Sequence, residues 1–295
     1  MPIRFTVALI VIARDEAPRI ARLLDSVAPW VDRRLVLDTG SCDDTSAIAR
    51  RCGARVETFA WCDDFSAARN AALDLMPADW HLVLDADEWL IAGGDALRSL
   101  RDTPPTFVGA LQLIDHTQTR DAALVHSWLS RLLPGALRYA GRVHEQPQHS
   151  LPVRRLPLHV GHDGYTPLRL AAKRGRNRRL LHAELAEHRE DAYQWYQLGK
   201  DHDVYGEHAD AVQAFIQAGA LGMGTEPWRS DLAARLLFAL KKSGRHDEGL
   251  QHAQANLERC AESPDFYFAV GDLLLDWAAT DPARGAELLP MAQSA

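Results

Sequence analysis

Four apolar runs in the first ninety residues, each followed by a cluster of acids, constrain this chain more than any other feature. The runs are RFTVALIVIA, RRLVLD, ARVETF and WHLVLD. Between them lie segments with helical spacing. EAPRIARLLDSVAPW sets Ile20, Leu23, Leu24 and Val27 on one face, with Pro18 tolerated in the first turn. CDDTSAIARRCG reads as a short helix closed by Gly53, and FSAARNAALDLM as a third helix. Unbroken apolar runs suit strands covered on both faces, and strands joined by single helices demand right-handed crossovers and a parallel sheet. The acids then fall into order: ARDE, DTGSCDD, WCDD and DADE each follow one strand. All four clusters gather at the carboxyl rim, where open α/β sheets bind ligands.

The sharpest cluster is HLVLDADEWL, which crowds Asp85, Asp87 and Glu88 together. Like charges that close repel and resist desolvation, so either water solvates them all or a cation sits between them. A hard divalent cation prefers carboxylate oxygens and keeps water and substrate phosphates as its other ligands. Asp85 and Asp87 point oppositely in an extended strand but serve one site once the chain turns. Neither GxGxxG nor GxxxxGK[ST] occurs, which disfavours dinucleotide dehydrogenases and P-loop NTPases. A haloacid-dehalogenase-type phosphatase would carry its DxD after the first strand, which here ends in ARDE.

Composition narrows the class further. The 295 residues suffice for a sizeable core and two domains. A net charge of -7 argues against a nucleic-acid binder. LRLAAKRGRNRRLL concentrates six Lys and Arg residues between 169 and 179, but no aromatic residues interleave with them. The cysteines, at 42, 52, 62 and 260, show neither a CxxC pair nor zinc spacing, which points to a reducing, cytoplasmic setting. MPIRFTVALIVIARDE lacks a cleavage pattern and runs into charges, so it reads as a buried strand rather than a signal peptide. No apolar stretch approaches the ~20 residues that span a bilayer.

From about residue 169 the pattern becomes helical throughout. DAYQWYQLGKDHDVYGEHADAVQAFIQAGALG carries Trp195, Leu198, Gly199, Gly206, Ala211, Phe215 and Ala218 at tetratricopeptide spacing, with His202 where a tyrosine is usual. Two weaker copies follow, in LAARLLFALKKSGRHDEGLQHAQANL and DFYFAVGDLLLDWAATDPARGAELL. The expected organisation is an α/β domain over 1–185 and an all-α, tetratricopeptide-like domain over 186–295.

VIARDE, LVLDTGSCDDT, DDFSAARNAAL, LVLDADE, GRVHEQ, HVGHDGY and RNRRLL, in that order, resemble the family 2 glycosyltransferases. The resemblance covers most of residues 5 to 220 and is to bacterial members with C-terminal tetratricopeptide repeats. That family includes lipopolysaccharide-core glucosyltransferases and the S-glycosyltransferase that modifies the peptide sublancin. ARDE departs from the frequent Lys-Asn-Glu, which weakens the role of Asp15. The resemblance implies a GT-A fold, a mixed and mainly parallel sheet, and hexosyl transfer with inversion from a nucleotide-diphosphate sugar, UDP-linked in the first instance. The implied acceptor is a glycan, a lipid-linked saccharide or a peptide. Peripheral membrane attachment and a homodimer through the repeats are compatible with it.

By the same resemblance, Asp15 and Glu16 line the nucleotide pocket and Asp38 faces the base or ribose. Asp64 shares the rim, while Arg69 and Asn70 approach the diphosphate. Asp85 meets the ribose or sugar with a metal contact, Asp87 holds Mn2+ or Mg2+, and His162 completes the coordination. Arg176, with Lys173 beside it, meets the diphosphate, and Glu145 is the base, with His144 as its competitor. Plainer roles stand beside these: a first-turn helix charge for Glu16, helix caps for Asp43 and Asp44, an ion pair with Arg142 or Arg131 for Glu145. Rival functions are an inactive sugar-nucleotide-binding repeat scaffold and a metal-dependent nucleotidyltransferase.

Overall fold

A computed structural model describes residues 4–115, 126–163, 175–222 and 224–294. The chain divides into two compact units, Met1–Arg174 and Gly175–Ala295.

The first unit is built on an eight-stranded mixed sheet. Strands β1 (Val7–Ala13), β2 (Arg33–Asp38), β3 (Arg55–Thr58) and β4 (Trp80–Val83) alternate with helices α1 (Ile20–Val27), α2 (Thr45–Arg51) and α3 (Phe65–Leu75). There follow β5 (Glu88–Ala92), α4 (Gly94–Ser99), β6 (Val108–Asp115), β7 (His126–Pro134), β8 (Tyr139–Ala140), β9 (Gln146–Pro147) and β10 (Val153–His162). The strand order is β3-β2-β1-β4-β7-β6-β10-β5, with β8 and β9 paired separately. Strands β1 to β4 run parallel to one another. The antiparallel members are β7, against both β4 and β6, and β5 against β10.

Strand alternation assigns the two faces. Val7, Leu9 and Val11 pack with Ile20, Leu23, Leu24 and Val27 of α1, while Ala8 and Ile10 pack with Ala68, Ala72 and Leu73 of α3. Helix α1 begins at Ile20, after turn bonds from the Arg19 and Ile20 amides to the Glu16 carbonyl, so Pro18 lies ahead of the helix rather than in its first turn.

The second unit contains helices α5 (Arg176–Glu187), α6 (Ala192–Val204), α7 (His208–Leu221), α8 (Arg229–Lys242), α9 (His246–Asn256), α10 (Pro264–Thr280) and α11 (Gly285–Ser294). The α6–α7 pair packs as the repeat spacing requires. Ala211, Phe215 and Ala218 are buried, and a Cβ on Gly199 would fall 2.4 Å from the Phe215 ring. In the second copy, a Cβ on Gly249 would meet Leu273 at 2.5 Å. Helix α8 faces two cores at once, giving Leu232, Leu236 and Leu240 to one and Ala233 and Leu237 to the next. Stacked repeats bury their faces in this way. No described helix is long and apolar enough to cross a membrane.

Candidate active site

The DxD lies in the turn between β4 and β5. The Glu88 amide donates to the Asp85 carbonyl at 3.0 Å, and the Asp85 amide donates to Glu88 Oε2 at 2.9 Å. This two-way clasp leaves the strand geometry behind and sends the two aspartates to different partners. Arg69 Nη2 donates to Asp85 Oδ1 at 2.6 Å and Arg131 Nη2 to Oδ2 at 2.8 Å. Arg69, in α3, also donates through Nε to Glu145 Oε1 at 2.5 Å. Its Nη1 is buried with no hydrogen-bond partner among the described residues. Arg131 Nη2 reaches Glu88 Oε1 at 3.4 Å, and the Tyr139 ring lies 5.5 Å from the Arg69 guanidinium carbon.

Burial and charge oppose each other throughout this patch. Burial pushes the Asp85 carboxyl up, but Arg131 and Arg69 outweigh it and hold the group well below the usual carboxylate range. For Glu88 burial prevails: with the Asp85 charge adding to it against Arg131, the carboxyl rises to about 7. Both oxygens of Asp85 accept from arginines, which holds the carboxylate between α3 and β7.

Asp87 has different company. Pairing of β5 with β10 sets His162 opposite Glu88, and His162 Nε2 lies 3.4 Å from Asp87 Oδ2. Both residues are buried, 8% and 7% exposed. A carboxylate oxygen and an imidazole nitrogen brought this close form a donor pair compatible with a first-row divalent cation such as manganese. The next residue, Asp163, accepts from Arg19 Nε at 2.8 Å and Arg22 Nη2 at 2.6 Å, fixing the end of β10 over α1.

The remaining rim carboxylates bind backbone. Asp38 Oδ1 accepts from the Gly40 and Ser41 amides at 3.0 and 2.7 Å, and Oδ2 accepts from Ser46 Oγ. Burial alone would raise its pKa; these bonds lower it. Asp15 Oδ1 accepts from the Cys42 amide, and the amides of Asp15 and Glu16 donate to Ser41 Oγ and Thr45 Oγ1, which ties the first two loops together. The Glu16 carboxylate lies 3.6 Å from Arg19, ahead of α1 rather than in its first turn. Asp43 takes the Thr45 and Ala17 amides, whereas Asp44, at the cap position, makes no side-chain cap bond. Asp64 caps α3, accepting from the Ala67 amide at 2.9 Å. Asn70 uses both ends of its amide on the Tyr139 backbone, at 2.9 and 2.8 Å. Among the described residues, the non-glycine positions with left-handed backbone are Asp15, Asp63 and His144 (φ 54°, 56° and 53°), all in loops of this rim or beside Glu145. Backbone held in that region collects at functional sites.

Residues 8–108 match the family model described as glycosyl transferase family 2. The first unit carries a family 2 glycosyltransferase domain. A TPR repeat-containing protein of Synechococcus elongatus is 35% identical over 273 residues, covering 85% of this chain and 66% of that protein. The SPbeta prophage-derived glycosyltransferase SunS of Bacillus subtilis is 28% identical over 171 residues, 55% of this chain and 40% of SunS. This chain therefore spans about two thirds of the first relative's length and less than half of the second's. A crystal structure of glucosyl-3-phosphoglycerate synthase from Mycobacterium tuberculosis, with Mn2+, UDP and glucosyl-3-phosphoglycerate, is similar at 24% identity and a TM-score of 0.32. It covers 38% of this chain and 44% of that one, and at that similarity nothing about the site transfers.

Within the glycosyltransferase domain, Arg69, Asp85, Glu145, Asp87 and His162 come together around one turn. Arg131 and Glu88 complete the group; Arg131 was expected at most as a structural partner of Glu145. The available signal was a lone arginine inside the apolar run SWLSRLLP. The ion pair made by Glu145 is with Arg69, rather than with Arg142 or Arg131. Arg176 belongs to the second unit, where its guanidinium reaches Asn177 Oδ1 at 3.3 Å. Lys173, Gly164, Tyr165 and His116 lie outside the described residues.

Proposed function

We propose that the protein transfers a hexose from a nucleotide-diphosphate donor, a UDP-sugar first among the candidates, to a glycan, lipid-linked or peptide acceptor with inversion at the anomeric carbon. One observation carries this reading: in a family 2 domain, the turn after β4 holds Asp85 between two arginines and leaves Asp87 beside His162. Asp87 and His162 would hold the cation, and Asp85 would present its arginine-held carboxylate to the ribose or sugar. The cation, when bound, supplies positive charge to offset that developing on the diphosphate leaving group. Asp15, Glu16 and Asp38 would shape the nucleotide pocket through the loops they hold, while Asp64 would serve the rim only by capping α3.

Glu145 is the proposed base. Arg69 holds its Oε1 and no described residue is bonded to its Oε2. As the acceptor oxygen bonds to the anomeric carbon, its proton passes to Glu145 and the bond to the diphosphate oxygen breaks, its electron pair leaving with the nucleotide. The base comes from a segment separate from the Asp87 turn, as attack opposite the leaving group requires. The repeat unit would hold the acceptor, a partner or a second copy. The four free cysteines go with a cytoplasmic setting, at the membrane face where the acceptor is lipid-linked.

A thermal-shift panel of UDP, GDP and dTDP with and without manganese tests the reading. One nucleotide should raise the melting temperature, and manganese should enlarge that rise. Failure of all three to stabilise the protein in the presence of manganese removes the proposal.

A further inference from the structure

Arg131 reaches the site by an irregularity in its strand. Gly109 and Ala110 are consecutive in β6, yet their partners in β7 are Leu132 and Ser130, so Arg131 is the extra residue of a β-bulge. Bulges re-aim side chains and recur beside active sites. Here the residue facing the bulge is glycine, and a Cβ on Gly109 would fall 2.9 Å from Leu132 Cβ and 2.6 Å from Leu156 Cδ1. The bulge turns a charged side chain, 15% exposed, out of a strand whose Leu132 and Leu133 are fully buried. A single nitrogen, Nη2, then serves Asp85 Oδ2 and Glu88 Oε1. Glu88 in turn accepts from the Asp85 amide.

We infer that Arg131 is a positioning residue of the donor site: the β7 bulge delivers it to hold Asp85 and, through Glu88, the backbone of the Asp85–Asp87 turn. The inference rests on the sugar-nucleotide reading above and extends it to a strand that no rim acid occupies. Arg69 fixes one oxygen of Asp85, and one contact leaves a carboxylate free to rotate about its last bond. The second contact, on the other oxygen, removes that freedom. The orientation of Asp85 toward a bound nucleotide is therefore set by β7. A purely charge-balancing arginine would need no such geometry, because any nearby cation offsets a buried carboxylate.

Three variants separate the two roles: Arg131→Lys, Arg131→Met and the double variant Arg131→Met/Glu88→Gln. Melting temperature and calorimetric affinity for UDP with manganese are measured on each, with GDP or dTDP in its place where the wild-type protein prefers one. Arg131→Met takes one of two arginines from Asp85 and the one arginine contact from the buried Glu88 carboxyl, so it should melt lower and bind more weakly. The double variant removes one of those carboxylates and should regain much of the melting temperature. It should not regain nucleotide affinity, which stays about tenfold weaker or more, the effect of losing one charge-assisted hydrogen bond. Arg131→Lys keeps the charge, but its Nζ ends one bond short of where Nη2 meets Asp85 and Glu88, so it should fold normally and bind about tenfold more weakly. Wild-type affinity in either the lysine variant or the double variant overturns the inference. A wild-type protein that binds none of the nucleotides with manganese overturns the sugar-nucleotide reading instead.

Discussion

The loops after β1, β2 and β3 and the turn after β4 carry equally acidic sequences, yet their carboxylates do different work. In the first three, Asp15, Asp38, Asp43 and Asp64 accept from backbone amides and hydroxyls of their own or neighbouring loops. After β4, Asp85, Asp87 and Glu88 face two arginines and a histidine drawn from α3, β7 and β10. A carboxylate bonded to local amides builds a loop. One that meets side chains from distant strands creates a buried field in which charge can be offset and a ligand recognised. Acidity alone does not distinguish the two regions; their partners do.

The most forceful way to break this comparison is at the base. Glu145→Gln keeps an oxygen for Arg69 but removes basicity, so kcat should fall by ~10²–10⁴ while nucleotide affinity is unchanged. Near-normal turnover would return Glu145 to a purely structural ion pair, and loss of turnover with His144→Asn alone would move the role one residue back. Next, Asp87→Asn should cost on the order of 100-fold in manganese-dependent UDP affinity with little change in melting temperature. Undiminished binding in calorimetry would mean that the cation is held elsewhere.

Asp64→Ala tests the opposite side of the comparison. It removes the α3 cap and should cost ~1 kcal/mol in urea unfolding, leaving manganese-dependent nucleotide affinity within about twofold. A large loss of affinity at unchanged stability would make Asp64 a ligand contact instead of a cap. A further effect concerns pH. Glu88 binds its proton more tightly folded than unfolded, where its pKa is 4.5, so its stabilisation is fully present below pH 4.5 and is lost as pH rises through about 7. The wild-type protein should therefore lose up to about 3 kcal/mol relative to Glu88→Gln between those values. A stability difference that stays flat across that window would show Glu88 ionised throughout.

Much of the fold was legible because it depends on local pattern. The strand–helix alternation up to Val83 and the repeat signature from Trp195 to Ala218 follow from which faces are apolar, and each residue's place in the period is written beside it. Gly199 could be read in the same way, since its missing Cβ is what lets the Phe215 ring approach. The rim was legible too: parallel strands must end on one side, so acids that follow strands must gather there.

What the sequence by itself determined, then, is that four acidic segments share one rim and that a helical repeat follows. Which of those acids would meet a counter-charge was decided by tertiary structure. Arg131 lies 46 residues after Asp85, and Glu145 lies 76 after Arg69. Both meetings depend on the pairing of β7 with β4 and β6, on a one-residue bulge in β7, and on the loop between β8 and β9. Register and bulge are set by packing summed along whole strands, so no short motif announces them. A carboxylate's partners are fixed only once those strands are in place.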